Sequence, residues 1–306
     1  MNRFAKFSWI VLACNVLDIL WGAFVRATGS GAGCGNHWPA CNGEIIPTSQ
    51  AIATVIEFTH RILSGVALLL VLVLLIWGWR KYAKGSPVRI GVIGSAGFIL
   101  VEAGLGAGLV LFNLVNTNSS VLRAVVVALH LLNTFILLAF LALTAWWASG
   151  GKAFSLKNKG TLPVLFGIGL AGIALLGMSG AITALGDTLF PANSLAQGFA
   201  QDSNANASFL VRLRVIHPVI AILITAYTLI LVWNITRRFN GLAARRLSLT
   251  LRGLVLIQFA AGILNLLLLA PIWMQIVHLL LADSAWISYV LLSASILSIE
   301  SGKPAS

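Results

Sequence analysis

The sequence predicts an all-α membrane protein whose eight transmembrane helices form two tandem four-helix bundles related by a pseudo-two-fold axis. Three observations carry that expectation. Hydrophobic residues make up 59% of the chain and charged residues only 9%, with a mean hydropathy of +0.96, whereas a soluble domain carries roughly 25% charged residues. Apolar runs of about 20 residues, enough to cross ~30 Å of hydrocarbon, recur near 7–27, 55–79, 88–112, 121–148, 162–185, 210–236, 251–270 and 273–297. The second half of the chain also repeats the first in register.

The net charge of +12 is distributed in a way that argues against nucleic acid as a partner. Arg80, Lys81, Lys84 and Arg89, then Lys152, Lys157 and Lys159, then Arg237, Arg238, Arg245, Arg246 and Arg252 fall in alternate loops, with Arg3, Lys6 and Lys303 at the ends. Such one-sided clustering marks the cytoplasmic face. Both termini are therefore expected inside and the loop over 28–54 outside. Arg26, Arg61, Arg123, Arg212 and Arg214 sit at the outer helix ends and call for local anionic partners. With no long presequence ahead of the first run, the cell (plasma) membrane is the expected location.

In chain order, the first run holds Cys14, read as packing rather than a lipoprotein cleavage site because the apolar stretch continues to Trp21. It also holds Asp18, either structural glue or functional. The Gly-rich outer loop contains Cys34, His37, Trp38, Pro39 and Cys41. In an oxidising compartment the two cysteines are expected to form a disulfide, the alternative being two unpaired loop thiols. His37 reads as a solvated loop residue.

The second run opens on Glu57-Phe58-Thr59-His60-Arg61, which places an acid, an imidazole and a guanidinium on one helical face. Ionisable groups at the threshold of a span are expensive, so an intramembrane role is the default expectation for them. The third run carries Glu102 among small residues that permit close helix contact. The fourth carries Arg123, His130, Asn133 and Thr134. The loop over 186–208 is rich in Asn, Ala and Gln and is expected to be mobile.

The repeat decides how the histidines are read. His60 follows Gly22 by 38 residues and His217 follows Gly180 by 37; Glu102 follows His60 by 42 and Gln258 follows His217 by 41; His278 answers His130. The division is into a unit over 1–150 and a unit over 151–306. The four histidines fall on the second and fourth helices of each unit, within about three turns of the outer surface. Two facing imidazoles in a four-helix unit suit the axial positions of an iron porphyrin. Arg61, Arg123, Arg212 and Arg214 are placed to meet its propionates.

The two pockets differ. Glu57 stands one turn before His60, where the second unit has Arg214 before His217, and Pro218 takes the place of Arg61. The first pocket is therefore expected to carry chemistry, with Glu57 and His60 as its catalytic residues. The second is expected to hold a static redox centre.

Together the Glu57-to-Arg61 motif, the loop with Cys34, Trp38, Pro39 and Cys41, and the duplicated units with His130, His217 and His278 resemble haem A synthase over nearly the whole chain. The resemblance implies oxidation of the C8 methyl group of haem O to a formyl group by successive hydroxylations, giving haem A for a terminal oxidase. By similarity, His60 and His130 would bind the haem O iron, and His217 and His278 the iron of a haem b cofactor. Cys34 and Cys41 match the family's disulfide, structural or redox in role. A haem O synthase (farnesyltransferase), an electron acceptor such as quinone and a possible homo-oligomer are the implied partners beside the lipid bilayer. The second cysteine pair of some members is missing from 186–208. Two other readings compete: a bis-histidine haem b cytochrome, which would need neither Glu57 nor the cysteine loop, and a secondary transporter, which typically uses helices broken at the midplane.

Overall fold

The computed structural model describes residues 1–239 and 241–299; Lys303 and the expected cytoplasmic C-terminus lie outside them. Eight stretches are long and apolar enough to cross a membrane, and the chain is a multi-pass membrane protein. The helices are α1 (Arg3–Ala27), α2 (Ile52–Lys81), α3 (Pro87–Leu111), α4 (Val121–Ala148), α5 (Leu162–Leu189), α6 (Leu195–Ser203), α7 (Phe209–Leu213), α8 (Ile216–Arg238), α9 (Leu242–Leu267) and α10 (Ile272–Leu297).

Local chemistry sets several of these ends. The side chains of Asn2, Ser86 and Ser120 accept from the backbone N–H groups of Ala5, Arg89 and Arg123, satisfying donors that a helix start leaves free. Pro87 occupies the first turn of α3, where its missing N–H costs nothing.

Two spans differ from the sequence expectation. The sixth is broken at Arg214 and Val215, between α7 and α8. Pro218 explains the break, since it lacks an N–H and its ring clashes with the carbonyl four residues earlier, that of Arg214. The seventh begins at Leu242, well before the expected 251, because arginines at a helix end extend into the interface on their long stems. Arg237 and Arg252 lie over the Trp233 ring at 4.9 and 6.0 Å.

Helix contacts close two rings. In one, α1 touches α2 and α4, and α3 touches α2 and α4; in the other, α5 touches α8 and α10, and α9 touches α8 and α10. The rings meet through α4 against α5 and α10, with α1 also reaching α5 and α10. At this seam Phe135 and Trp286 stack with centroids 4.8 Å apart, and Trp286 Nε1 donates to the Phe135 carbonyl at 2.6 Å. Arg26 fastens the same seam from α1, donating to Ala184 O at 2.6 Å, Thr188 Oγ1 at 2.8 Å and Gln275 Oε1 at 2.9 Å. Large apolar side chains such as Ile62, Leu69, Val73 and Ile76 of α2 are exposed, as a lipid-facing surface requires.

The segment between α1 and α2 is folded down onto the start of α2. Cys34 and Cys41 form a disulfide, and both are fully buried. Thr54 Oγ1 donates to Gly33 O at 2.7 Å. A Cβ at Gly33 would lie 2.3 Å from the backbone of Ala53, which has no freedom to retreat. We therefore expect Gly33→Ala to displace the loop and cost about 1–3 kcal/mol, the usual range for overpacking. Gly65→Ala, with nothing within 4 Å of the added carbon, serves as the neutral control. Melting points in detergent check this, and equal values for the two variants would contradict it.

Candidate functional site

Each helical histidine lies within the first ten residues of its span, and each reaches across to the preceding long helix at a glycine. A Cβ on Gly22 would come to 3.0 Å from the His60 ring, one on Gly180 to 2.9 Å from His217, and one on Gly262 to 3.1 Å from His278. At Gly106 the corresponding distance to His130 is 3.9 Å. The rings of His60, His217 and His278 therefore occupy notches that a larger residue would crowd, while His130 lies at ordinary contact distance beside Gly106. The Gly22 and Gly180 echo, noted only as spacing in the sequence, has its physical cause here.

A polar partner stands close to each ring. Asp18 Oδ1 lies 3.1 Å from His60 Nδ1, out of hydrogen-bond alignment, and accepts from Ser64 Oγ at 3.0 Å. Glu102 Oε1 lies 3.1 Å from His130 Nε2, with its carboxylate clamped by Asn133 Nδ2 at 2.5 Å and Thr134 Oγ1 at 2.6 Å. In the other ring of helices, Ser179 Oγ lies 3.0 Å from His217 Nδ1, and Gln258 Nε2 lies 3.3 Å from His278 Nε2. Carboxylates thus accompany His60 and His130, whereas a hydroxyl and an amide accompany His217 and His278. Asp18 is within electrostatic reach of both His60 and His130, and His217 is within reach of His278.

Glu57, 3% exposed, faces the disulfide loop. It accepts from the Cys34 N–H at 2.8 Å and from Arg61 at 2.5 Å. Arg61 also donates to the carbonyls of His37 at 2.7 Å and Ala40 at 2.5 Å. The acid and the guanidinium of the Glu57-to-Arg61 motif therefore staple the loop to α2, while His60 points to α1.

The remaining arginines are engaged in different ways. Arg123 donates to Asn116 O and Asn118 O, both at 2.7 Å, while its Nε has no partner. Arg214 pairs with Asp187 at 3.0 Å and Asp202 at 2.9 Å and also meets Gln201. Arg212 is exposed. The stretch over 186–208, expected to be mobile, supplies those acids from the end of α5 and from the nine-residue helix α6, capped by Ser194.

Sequence reading missed two groups. The pairing of Asp18 with His60 was hidden because the residues belong to different helices, although Asp18 stands four residues before Gly22, as Glu102 stands four before Gly106. Asp283 of α10 is fully buried with neither carboxyl oxygen hydrogen-bonded, and nothing in its sequence context signalled that. Four half-buried imidazoles, each beside a glycine of the preceding long helix, form a donor set that fits an iron porphyrin.

The relatives of this chain bear on the same chemistry. Over 296 residues it is 48% identical to a protein of Thermus thermophilus named Protoheme IX farnesyltransferase, covering 97% of this chain and 49% of that protein. Over 113 residues, 37% of this chain and 38% of each relative, it is 42% identical to a Heme A synthase of Halalkalibacterium halodurans and 39% identical to one of Alkalihalophilus pseudofirmus. The chain therefore spans about half the length of its long relative, or less of the others. A sequence profile described as cytochrome oxidase assembly protein matches residues 5–290, and with the match running through both rings of helices, the chain belongs to the cytochrome oxidase assembly protein family.

Proposed function

We propose that the protein is a haem A synthase: in the unit over 1–150 it oxidises the C8 methyl group of haem O to a formyl group, and in the unit over 151–306 it holds a haem b that carries electrons away. The observation that carries the reading is the seating of all four imidazoles beside a glycine of the preceding long helix, tightly at Gly22, Gly180 and Gly262 and at ordinary contact distance at Gly106, with carboxylates beside only the first pair. His60 and His130 would hold the substrate iron and His217 and His278 the haem b iron, in pockets toward the outer face of the plasma membrane. When bound, haem b supplies one-electron redox chemistry.

The chain's own groups account for binding, positioning and proton handling. Asp18, held by Ser64, places a carboxylate 3.1 Å from Nδ1 of the His60 ring. The Cys34–Cys41 loop, held by Glu57, Thr54 and Arg61, lies over the start of α2 and limits water at that end. Each two-electron hydroxylation of the methyl carbon releases electrons, which need an external acceptor such as a quinone, and protons, for which Glu57 is the buried carboxylate of that loop junction. Arg61, Arg123, Arg212 and Arg214 are the cations at this end for the propionates. Arg212 is the most open of them, since Arg61, Arg123 and Arg214 already have protein partners.

A second reading follows from the name of the Thermus relative, prenyl transfer onto haem. Metal-assisted displacement of a diphosphate uses carboxylates to hold Mg²⁺. Among the described residues no group of three or more His, Cys, Asp or Glu is placed for a metal, and Arg214 already binds the neighbouring pair Asp187 and Asp202. The oxidative reading is therefore favoured, with a farnesyltransferase as the natural supplier of its substrate.

Expression with a haem O supply, followed by chromatography of the bound porphyrins, tests the assignment. His217→Ala is expected to lose the resident haem b, whereas His60→Ala keeps haem b and yields no formyl product. Haem A formation at the normal rate in His60→Ala would overturn the reading. Glu57→Gln retains an acceptor for the Cys34 N–H but gives up the charge opposite Arg61, so it is expected to lower the melting point less than Glu57→Ala does while losing roughly 100-fold in turnover, a typical acid–base contribution. Glu57→Ala removes the hydrogen-bond acceptor as well as the charge and should cost about 3 kcal/mol of stability, the low end for breaking a buried pair because Arg61 keeps its carbonyl acceptors. Normal turnover in Glu57→Gln would remove the acid from the chemistry.

A further inference from the structure

We infer that Glu102 makes the haem of the first unit exchangeable, by holding His130 in the form that cannot bind iron, whereas Gln258 holds His278 in the form that can. The inference rests on the haem reading above and names a positioning residue that reading did not use.

An axial imidazole gives iron the lone pair of a ring nitrogen, and Nε2, remote from the backbone, is the nitrogen that a bulky macrocycle can approach. A carboxylate is acceptor-only, so Glu102 Oε1 at 3.1 Å from His130 Nε2 favours the tautomer with hydrogen on Nε2 and no lone pair there. An amide nitrogen is donor-only, so Gln258 Nε2 at 3.3 Å from His278 Nε2 favours the opposite tautomer, whose Nε2 lone pair accepts this long hydrogen bond and passes to a metal without any proton having to move. The two residues occupy equivalent places, each four positions before a glycine that meets its histidine. They differ in which hydrogen-bonding role they leave to the ring.

A second observation supports this independently. Glu102 is locked on His130 by Asn133 and Thr134, three and four residues further along α4. The corresponding positions after His278 are Leu281 and Ala282, which have no side-chain hydrogen bonds to offer. The clamp therefore belongs to the first unit alone. His60 differs from His130, because its neighbouring carboxylate, Asp18, lies at Nδ1 and not at Nε2. The first unit accordingly has one persistent ligand and one that competes with a carboxylate, which suits a site that must admit a substrate macrocycle and let its product go. A resident redox centre has no such need.

The test is haem release from the full-length protein loaded with haem b at both sites, mixed with excess apomyoglobin and followed in the Soret band. His60→Ala and His217→Ala assign the phases of release to the two units. We expect Glu102→Gln to slow the first-unit phase at least tenfold and to convert that haem from partly high-spin to fully low-spin in the ferric spectrum, leaving the second-unit phase unchanged. The reciprocal Gln258→Glu is expected to accelerate the second-unit phase at least tenfold, and it tests the idea even if Glu102→Gln does not fold. An unchanged first-unit phase in folded Glu102→Gln, or an unchanged second-unit phase in Gln258→Glu, overturns the inference. If neither histidine variant alters any phase, it is the haem reading itself that fails.

Discussion

Inside a bilayer no water is present to satisfy an imidazole, so each histidine in these spans has to find its polar partner on a neighbouring helix. That demand pulls helices together at particular depths, and glycine is the residue that lets the backbone come near enough. Gly22, Gly180 and Gly262 lie where an added carbon would press on a histidine ring. The antiparallel helix pairs α1 with α2, α5 with α8, and α9 with α10 are thus registered by polar contacts as well as by apolar packing. The rest of the architecture surrounds these contacts: a seam closed by Phe135, Trp286 and Arg26, and a disulfide loop pinned to one end.

The same demand explains why the two rings of helices, built to one plan, serve different ends in the function proposed here. A duplicated scaffold reproduces depth, helix direction and notch without reproducing the group beside the ring. Where one half has Asp18 and Glu102, the other has Ser179 and Gln258. Changing an acceptor-only side chain to one that also donates alters which nitrogen lone pair a histidine presents, with hardly any change in volume. Divergence after duplication can therefore separate a site of exchange from a site of storage by substitutions that leave the packing intact.

Charge at the loop-bearing end is handled by neutralisation within the protein. Glu57 with Arg61, and Asp187 and Asp202 with Arg214, bring opposite charges together close to the boundary of the apolar region. Arg26 and Arg123 use carbonyl and side-chain oxygens instead. Three of these anchor a connecting segment, the disulfide loop through Arg61, the 116–118 turn through Arg123 and α6 through Arg214, whereas Arg26 ties α1 to α5 and α10. Of the arginines that the positive-inside pattern left unexplained, Arg26, Arg61, Arg123 and Arg214 thereby have structural tasks, while Arg212 stays exposed.

The amino-acid sequence by itself determined the class, the eight spans, the repeat and the four histidines. Those features are written in hydropathy, spacing and residue type, which depend on the solvent and on helical period and not on which helix lies next to which. It also carried the cysteine pair, because two thiols seven residues apart in a Gly-rich loop have little else to meet. Only the tertiary structure decided the partners. Glu57 shared a helical face with His60, yet it turns to Cys34 and Arg61 because the loop folds back over the start of α2. Asp18 reaches His60 across the Gly22 notch, and Arg214 finds its acids on α5 and α6. A side chain's periodicity says which way it faces along its own helix; what it meets there is settled by helix packing, through contacts between residues far apart in the chain.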